Sequence, residues 1–241
     1  MSIGIIVQAR TGSKRLPAKI LLKIGNKRIL EHLISRLKKI KIKNKIIIAT
    51  TKNKSDTIIN KIAKNNDCYS FNGTSLNVLK RYYQTAKKFK LETIVRICSD
   101  SPFMDPHIVE KAIKIFKTKK YDYVSNIIKP TYPAGMSVEV FSFDVLNKVQ
   151  NSKTNKIEKE HVTPYIYRNY KKFKIKNFSI KKDYTSYKLS VDYLEDYKLA
   201  KALYTKILDK ENYNYLNLIK ILNSNQKIRN INSNKRSILR Y

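Results

Sequence analysis

Four cations crowd around one glycine in Arg10-Thr11-Gly12-Ser13-Lys14-Arg15-Leu16-Pro17-Ala18-Lys19. Gly12 can let the backbone turn and bring amides close to an anion, and Ser13 adds a hydroxyl. Arg10, Arg15 and Lys19 can neutralise a polyphosphate, the arginines through planar forks and the lysine as a point charge. The spacing does not match GxxxxGK[ST], which argues against an ordinary P-loop ATPase. A basic surface loop would have the same composition.

Two aspartates supply the complementary chemistry. Asp100 follows the apolar run Thr93–Cys98 and Asp192 follows Lys188–Val191, so each stands where a strand would end. Two hard oxygen ligands from separate strand ends suit Mg²⁺, which takes one or two carboxylates plus phosphate and water. Each also has a plainer role open to it, because Ser99-Asp100-Ser101-Pro102 is turn-like and Asp192 sits just before a helix. Asp105 precedes Pro106 and is expected to cap a helix. Glu195 and Asp196 are expected to be solvated or capping, with Asp196 a secondary metal candidate.

A third group surrounds Thr131-Tyr132-Pro133-Ala134-Gly135-Met136-Ser137-Val138-Glu139, a turn running into an alternating strand that can present Tyr132 and Glu139 to a polar ligand. A strand glutamate can equally face solvent. His161, one of three histidines, opens Glu160-His161-Val162-Thr163 and is a substrate-contact candidate or a structural hydrogen-bonder. Cys68 and Cys98 belong to no CxxC pair or metal-spaced cluster, and both are expected to be buried thiols.

The elements needed to position these groups follow from hydrophobic patterning. Short apolar runs alternate with helical-period segments in the first half, the pattern of buried parallel strands joined by crossover helices. Strands are expected at Ile3–Val7, Lys45–Thr50, Cys68–Phe71, Thr93–Cys98 and Tyr121–Ser125. Helices are expected at Ile29–Lys39, Ser55–Lys64 with Ser55 as cap, Asn77–Phe89 and Pro106–Thr118. In the second half Ser137–Phe141, Lys172–Ser179 and Lys188–Val191 look extended, while Asp144–Gln150, Ile157–Arg168 and Leu194–Leu208 look helical. This predicts an α/β fold with an open, mostly parallel sheet and helices on both faces. One domain is expected over 1–241, with a small β-rich insertion at about 127–187 and a basic, flexible tail at about 224–241.

With 241 residues the chain can bury a large core, so a disulfide miniprotein is excluded. No run approaches the roughly 18 apolar residues of a membrane span, and the first residues read as a strand rather than a leader, so a cytoplasmic protein is expected. The net charge of +33 invites a nucleic-acid reading. However, only ten of the 51 cations are Arg, and residues 1–120 and 121–241 carry net +21 and +12, a diffuse excess rather than a stripe. No specific nucleic-acid partner is expected, only a salt-sensitive attraction to polyanions.

The segment QARTGSKRLPAKILLKIGNKRILEH resembles the amino-terminal signature of the CMP-sugar synthetases, the cytidylyltransferases that activate 3-deoxy-octulosonate and sialic-type acids. Within them the chain is most similar to the spore-coat polysaccharide biosynthesis protein F group. The resemblance recurs, in family order, at ICSDSPFMDP, TYPAGMSVEVFSF, EHVTPYIY and LSVDYLED, and covers about residues 1–200. It implies a nucleotide-diphospho-sugar transferase-like fold whose first loop wraps the CTP triphosphate, with main chain near Gln8 and Ala9 approaching the base. By that match Arg10, Gly12, Ser13, Arg15 and Lys19 go to the nucleotide, Asp100 and Asp192 to Mg²⁺, and Tyr132, Glu139 and His161 to the sugar. Asn77 and Ser137 stand where relatives commonly carry acids. Arg81 lies one helical turn beyond Asn77 on the same face, which points to a shared nucleotide or sugar contact, and both are assigned to nucleotide binding. A homodimer is also implied, with the insertion of one subunit lying against the other.

The reading is a Mg²⁺-dependent transfer of CMP from CTP to a sugar hydroxyl, expected to be that of an acidic (ulosonic or nonulosonic) sugar of surface-polysaccharide biosynthesis, with release of pyrophosphate. Arg10, Arg15, Lys19 and Asp100 would carry the catalysis. Alternatives are a nucleotidyltransferase or glycosyltransferase using another nucleotide or sugar on the same scaffold, and a Lys-rich scaffold for polyanions.

Overall fold

A computed structural model describes residues 2–234. Its centre is strand β1 (Ile3–Gln8), whose Ile5, Ile6 and Val7 are wholly buried. Such apolar runs form strands that are covered on both sides. β1 pairs in parallel with β4 (Lys45–Thr51) on one side and β6 (Thr93–Cys98) on the other, and β4 pairs with β5 (Tyr69–Gly73). β7 (Tyr123–Ser125), β8 (Glu139–Ser142) and β9 (Ile175–Asn177) complete a seven-stranded sheet of order β5-β4-β1-β6-β8-β7-β9, in which β8 is antiparallel to both neighbours. A small hairpin, β2 (Lys23–Ile24) and β3 (Lys27–Arg28), stands apart.

This order fixes where a ligand can sit. The chain runs from β1 outward through β4 and β5, then returns to place β6 on the far side of β1. The crevice between the carboxyl ends of β1 and β6 is therefore a topological switch point. Residues 9–19 leave one side of that crevice and residues 99–105 the other.

Helices cover both faces. α1 (Ile29–Leu37), α2 (Thr57–Asn65), α4 (Pro106–Lys117) and α8 (Leu194–Lys206) bury Leu30, Ile34, Ile59, Ile62, Val109 and Leu199 in one core. α3 (Val78–Lys88) and α5 (Phe143–Gln150) bury Tyr82, Ala86, Val145 and Val149 in the other. Asn77 caps α3 through Lys80 N at 2.8 Å, and Asp105 caps α4 through His107 N at 2.9 Å, as its place before Pro106 predicts. Ser55 is not a cap: a 3₁₀ turn at Lys54–Asp56 intervenes and α2 begins at Thr57.

The second half departs further from expectation. The segment 127–187 builds no separate sheet. It lends β8 and β9 to the main one and is otherwise loops and short helices, including α6 (Lys156–His161) and α7 (Pro164–Arg168). The expected helix over Ile157–Arg168 is broken at Val162, whose φ of 73° is left-handed. Lys188–Val191 contributes a single bridge, Lys188 to Ala134, rather than a strand. Past Ser224, where α9 (Tyr215–Ser224) ends, the chain forms α10 (Gln226–Arg229) and a 3₁₀ turn that buries Asn232. The rest of the tail assigned as flexible, 235–241, lies outside the described residues.

Candidate active site

The cationic loop is tied down by a residue that spacing did not single out. Asp56 is buried, and its Oδ1 accepts from both the backbone N–H and the hydroxyl of Thr11 at 2.7 Å, while Thr51 Oγ1 donates to Oδ2. A carboxylate with this many donors is a rigid anchor, because each lost bond would leave buried charge unpaired. The loop then folds on itself: Ser13 N and Ala18 N both donate to Thr11 O, at 2.8 and 3.0 Å. Gly12 is the middle residue of the tight turn that the Ser13 N to Thr11 O bond closes. Its backbone is not left-handed, and a Cβ there would meet no protein atom within 4 Å. What Gly12 leaves is open space at the mouth of the loop.

Lys19 lies where the two halves of the site meet. Its ammonium donates to Asp100 Oδ2 at 2.8 Å and to Asp192 Oδ1 at 2.9 Å, so residues 92 positions apart in the chain share one cation. Arg15 adds a 2.6 Å bond to Asp192 Oδ1 and lies over the ring of Tyr193 at 5.0 Å. The junction is built by backbone, since Val191 N donates to Asp100 O at 2.8 Å and brings residue 192 beside residue 100. Burial disfavours the Asp192 carboxylate, but Lys19, helped by Arg15 and Lys188, outweighs it and holds the carboxyl below its ordinary range. Burial likewise works against the Lys19 charge, and Asp100 and Asp192 outweigh it and hold the ammonium above the ordinary lysine value.

Segment 187–191 is in turn held by segment 134–136. Ala134 N donates to Tyr187 O at 3.0 Å and Leu189 N to Ala134 O at 2.8 Å. Gly135 makes this approach possible: its φ is +98°, and a Cβ would stand 2.8 Å from Ser190 N and 2.9 Å from Leu189 C. Gly135→Ala is therefore expected to cost about 2–4 kcal/mol, from backbone strain and overpacking together. Urea unfolding checks this, and a loss below about 0.5 kcal/mol, the range of an ordinary surface change, contradicts it.

The other assigned residues divide between the crevice and the core. Arg10 leaves β1 and pairs with Glu160 at 3.0 Å, across the crevice mouth. Arg81 is buried, donates to Thr74 O at 2.8 Å, and keeps a buried Nε with no hydrogen-bond partner among the described residues. Gly73 makes room for it, since a Cβ there would lie 2.7 Å from Arg81 Cγ. Asn77 spends its carbonyl oxygen on the cap of α3, so a shared contact with Arg81 would be left to its amide. Ala9 is buried and donates from its backbone to Ala49 O, and Gln8 Oε1 is buried with no partner among the described residues.

Tyr132 and Glu139 are not brought to the crevice with these groups. Tyr132 packs edge-on against Phe178 and Tyr215 in the core. Glu139 lies directly opposite Arg96 in the β6–β8 register and forms a buried ion pair with it. Tyr123 donates to Glu139 Oε1 at 2.6 Å, and Thr163 donates to the same oxygen. This carboxylate is a buried hub, and removing one partner of such a pair costs about 3–5 kcal/mol. His161 is half-buried on α6 next to the Glu160 that pairs with Arg10, and burial first, then the Arg96 charge, lowers its imidazole pKa and so favours the neutral ring. Cys68 and Cys98 are free thiols, each pushed up to about 11 chiefly by burial.

A switch-point crevice in an open α/β sheet, with a tethered cationic loop and two convergent carboxylates, is suited to a polyanionic ligand such as a nucleotide. The cytidylyltransferase family model matches residues 4–228. A cytidylyltransferase structure from Leptospira borgpetersenii superposes with a TM-score of 0.91 at 32% identity, covering 95% of this chain and 97% of that one. Spore coat polysaccharide biosynthesis protein SpsF of Bacillus subtilis is 30% identical, over 92% of this chain and 95% of SpsF. A Methanocaldococcus jannaschii protein named only as uncharacterized is 40% identical over 98% of this chain. The chain belongs to the cytidylyltransferase family and is a CTP-dependent nucleotidyltransferase.

Proposed function

We propose that the protein transfers CMP from CTP to a hydroxyl of an acidic sugar, of the ulosonic or nonulosonic type, used in surface-polysaccharide biosynthesis, with a divalent cation, Mg²⁺, held by Asp100 and Asp192. The observation that carries this reading is the single ammonium shared by Asp100 and Asp192 beside Arg15. That ammonium is a cation in the position a metal would take, between two hard oxygen ligands from separate elements. Among the described residues no group of three or more His, Cys, Asp or Glu could hold a metal. A pair of carboxylates suits Mg²⁺, which completes its shell with phosphate and water.

In this scheme the chain works mainly by positioning and charge stabilisation. Arg15 and Lys19 exchange their carboxylate partners for the triphosphate and offset the negative charge that builds on departing pyrophosphate. Arg10, held by Glu160, faces the same crevice. Gln8 Oε1, buried and lacking a donor among the described residues, would be satisfied by an exocyclic amine such as that of cytosine. Gly12 leaves the loop open to a phosphate. The bound cation would polarise the α-phosphate and lower the pKa of the attacking sugar hydroxyl.

A 3-deoxy-manno-octulosonate cytidylyltransferase of Elusimicrobium minutum, 29% identical over 53% of this chain, and the likeness to SpsF support a sugar of the surface-polysaccharide kind. A homodimer belongs to the proposal. A cytoplasmic setting is also part of the proposal. Separately, no helix of the described residues is long and apolar enough to cross a membrane. The test is pyrophosphate release from each of the four NTPs with Mg²⁺ and a panel of neutral and acidic sugars. CTP with an acidic sugar is expected to give the highest kcat/KM, and preference for another nucleotide or for a neutral sugar contradicts the reading.

A further inference from the structure

Behind Asp192 lies a second, wholly buried carboxylate. Asp196, on the first turn of α8, has no side-chain exposure. Its Oδ2 accepts from Lys188 Nζ at 2.6 Å and from the backbone N–H groups of Asp192 and Tyr193 at 3.0 Å each. Its Oδ1 accepts from Asn232 Nδ2 at 2.8 Å, and the same amide donates to Lys188 O at 3.1 Å. Asn232 comes from the carboxyl-terminal 3₁₀ turn, so the tail closes the cluster.

The distances set a charge balance. Lys188 is buried, and its ammonium stands 3.6 Å from Asp192 Oδ2 against 2.6 Å from Asp196. Without Asp196 that buried ammonium would have one carboxylate left to neutralise it, Asp192. Desolvated charges do not stay unpaired, so Lys188 would close on Asp192 and compete with any other cation there.

We propose that Asp196 is a positioning residue: it holds Lys188 away from Asp192 and fixes the backbone of residues 192 and 193, which keeps the Asp192 carboxylate available to a divalent cation, while Asn232 locks Asp196 in place. The proposal rests on the reading that Asp100 and Asp192 hold that cation.

Mn²⁺ alone serves as the probe, its binding to the full chain followed by loss of the free-ion EPR signal, with thermal melting of every variant alongside. Asp196→Asn is expected to weaken Mn²⁺ binding about tenfold or more, in the range of a lost outer-shell partner. Adding Lys188→Met is expected to restore it to within about threefold of wild type, a coupling that a purely structural role would not produce. Asp144→Asn, an exposed acid on the first turn of α5, serves as the control and is expected to change nothing. A folded Asp196→Asn protein that binds Mn²⁺ like wild type, or a double variant no better than the single one, overturns the proposal. Should Asp196→Asn not fold, Asn232→Ala takes its place: several-fold weaker binding supports the proposal, and unchanged binding overturns it. Wild type and Asp192→Asn binding Mn²⁺ equally would remove the underlying reading instead.

Discussion

Asp192→Asn is expected to lower turnover about a hundredfold or more at saturating CTP, and Asp100→Asn to do the same, by comparison with losing one preorganised electrostatic element of an active site. The substitution keeps the shape of the side chain and removes its charge. The fold should survive it, because the backbone at residue 192 is fixed by Asp196 and residue 191 is bonded to Asp100 O. What disappears is half of the carboxylate pair, and a neutral amide is a poor ligand for a hard cation. Initial rates of pyrophosphate release measure the effect. Turnover within about threefold of wild type in either variant would mean that these acids only tether the loop. Arg15→Ala is expected to give a loss of the same order, since it removes a fork suited to phosphate.

Lys19→Met is the second large effect, and it has two readouts. Turnover is expected to fall about a hundredfold through loss of a charge on the leaving group's side. Stability of the empty protein is expected to fall by about 2 kcal/mol at neutral pH, because two partly buried carboxylates lose the ammonium they share. The pH dependence of that difference has a definite sign. Asp192 is held below its ordinary value, so its share of the stabilisation is complete above the usual carboxylate range, near pH 4, and is lost as pH falls through the lower folded value. Lys19 is held above its ordinary value, so its share is complete below about pH 10 and is lost as pH rises through the higher folded value. The advantage of wild type over Lys19→Met should therefore be flat between about pH 5 and pH 10 and shrink on either side. Urea unfolding in EDTA, without nucleotide, reads it, and a pH-independent difference contradicts the shared-ammonium geometry.

The parts of the site that were legible in the sequence are those whose chemistry lies within one short segment. Arg10 to Lys19 announces itself by charge density around a glycine, and Asp100 by ending an apolar strand. The register of β1 with β6, from Ile3–Thr93 to Gln8–Cys98, then delivers both to one rim. Helix and strand limits in the first half follow from patterning to within a few residues, because apolar runs buried on both faces leave little choice.

What was not legible depends on partners far apart in the chain. Alternation over Ser137–Phe141 cannot show that the facing residue for Glu139 is Arg96, which turns an apparent ligand contact into a buried ion pair. Tyr132 has the same history, its ring taken up by Phe178 and Tyr215. Asp56 lies 45 residues from the Thr11 it anchors, and nothing local distinguishes it from a capping acid. Asp192 follows a segment that patterns as a strand but forms one bridge; its position comes from Gly135 and from the bond between Val191 and Asp100. The turn that supplies Asn232 lies in an Asn- and Ser-rich tail, a composition that ordinarily marks disorder.

The most direct measurement is a crystal structure of the protein soaked with CTP and Mg²⁺. The triphosphate is expected along residues 10–19, with Arg15 and Lys19 turned onto phosphate oxygens and Asp100 and Asp192 facing a common cation. A nucleotide bound away from that loop, or Lys19 still bridging the two aspartates with CTP in place, would contradict this arrangement.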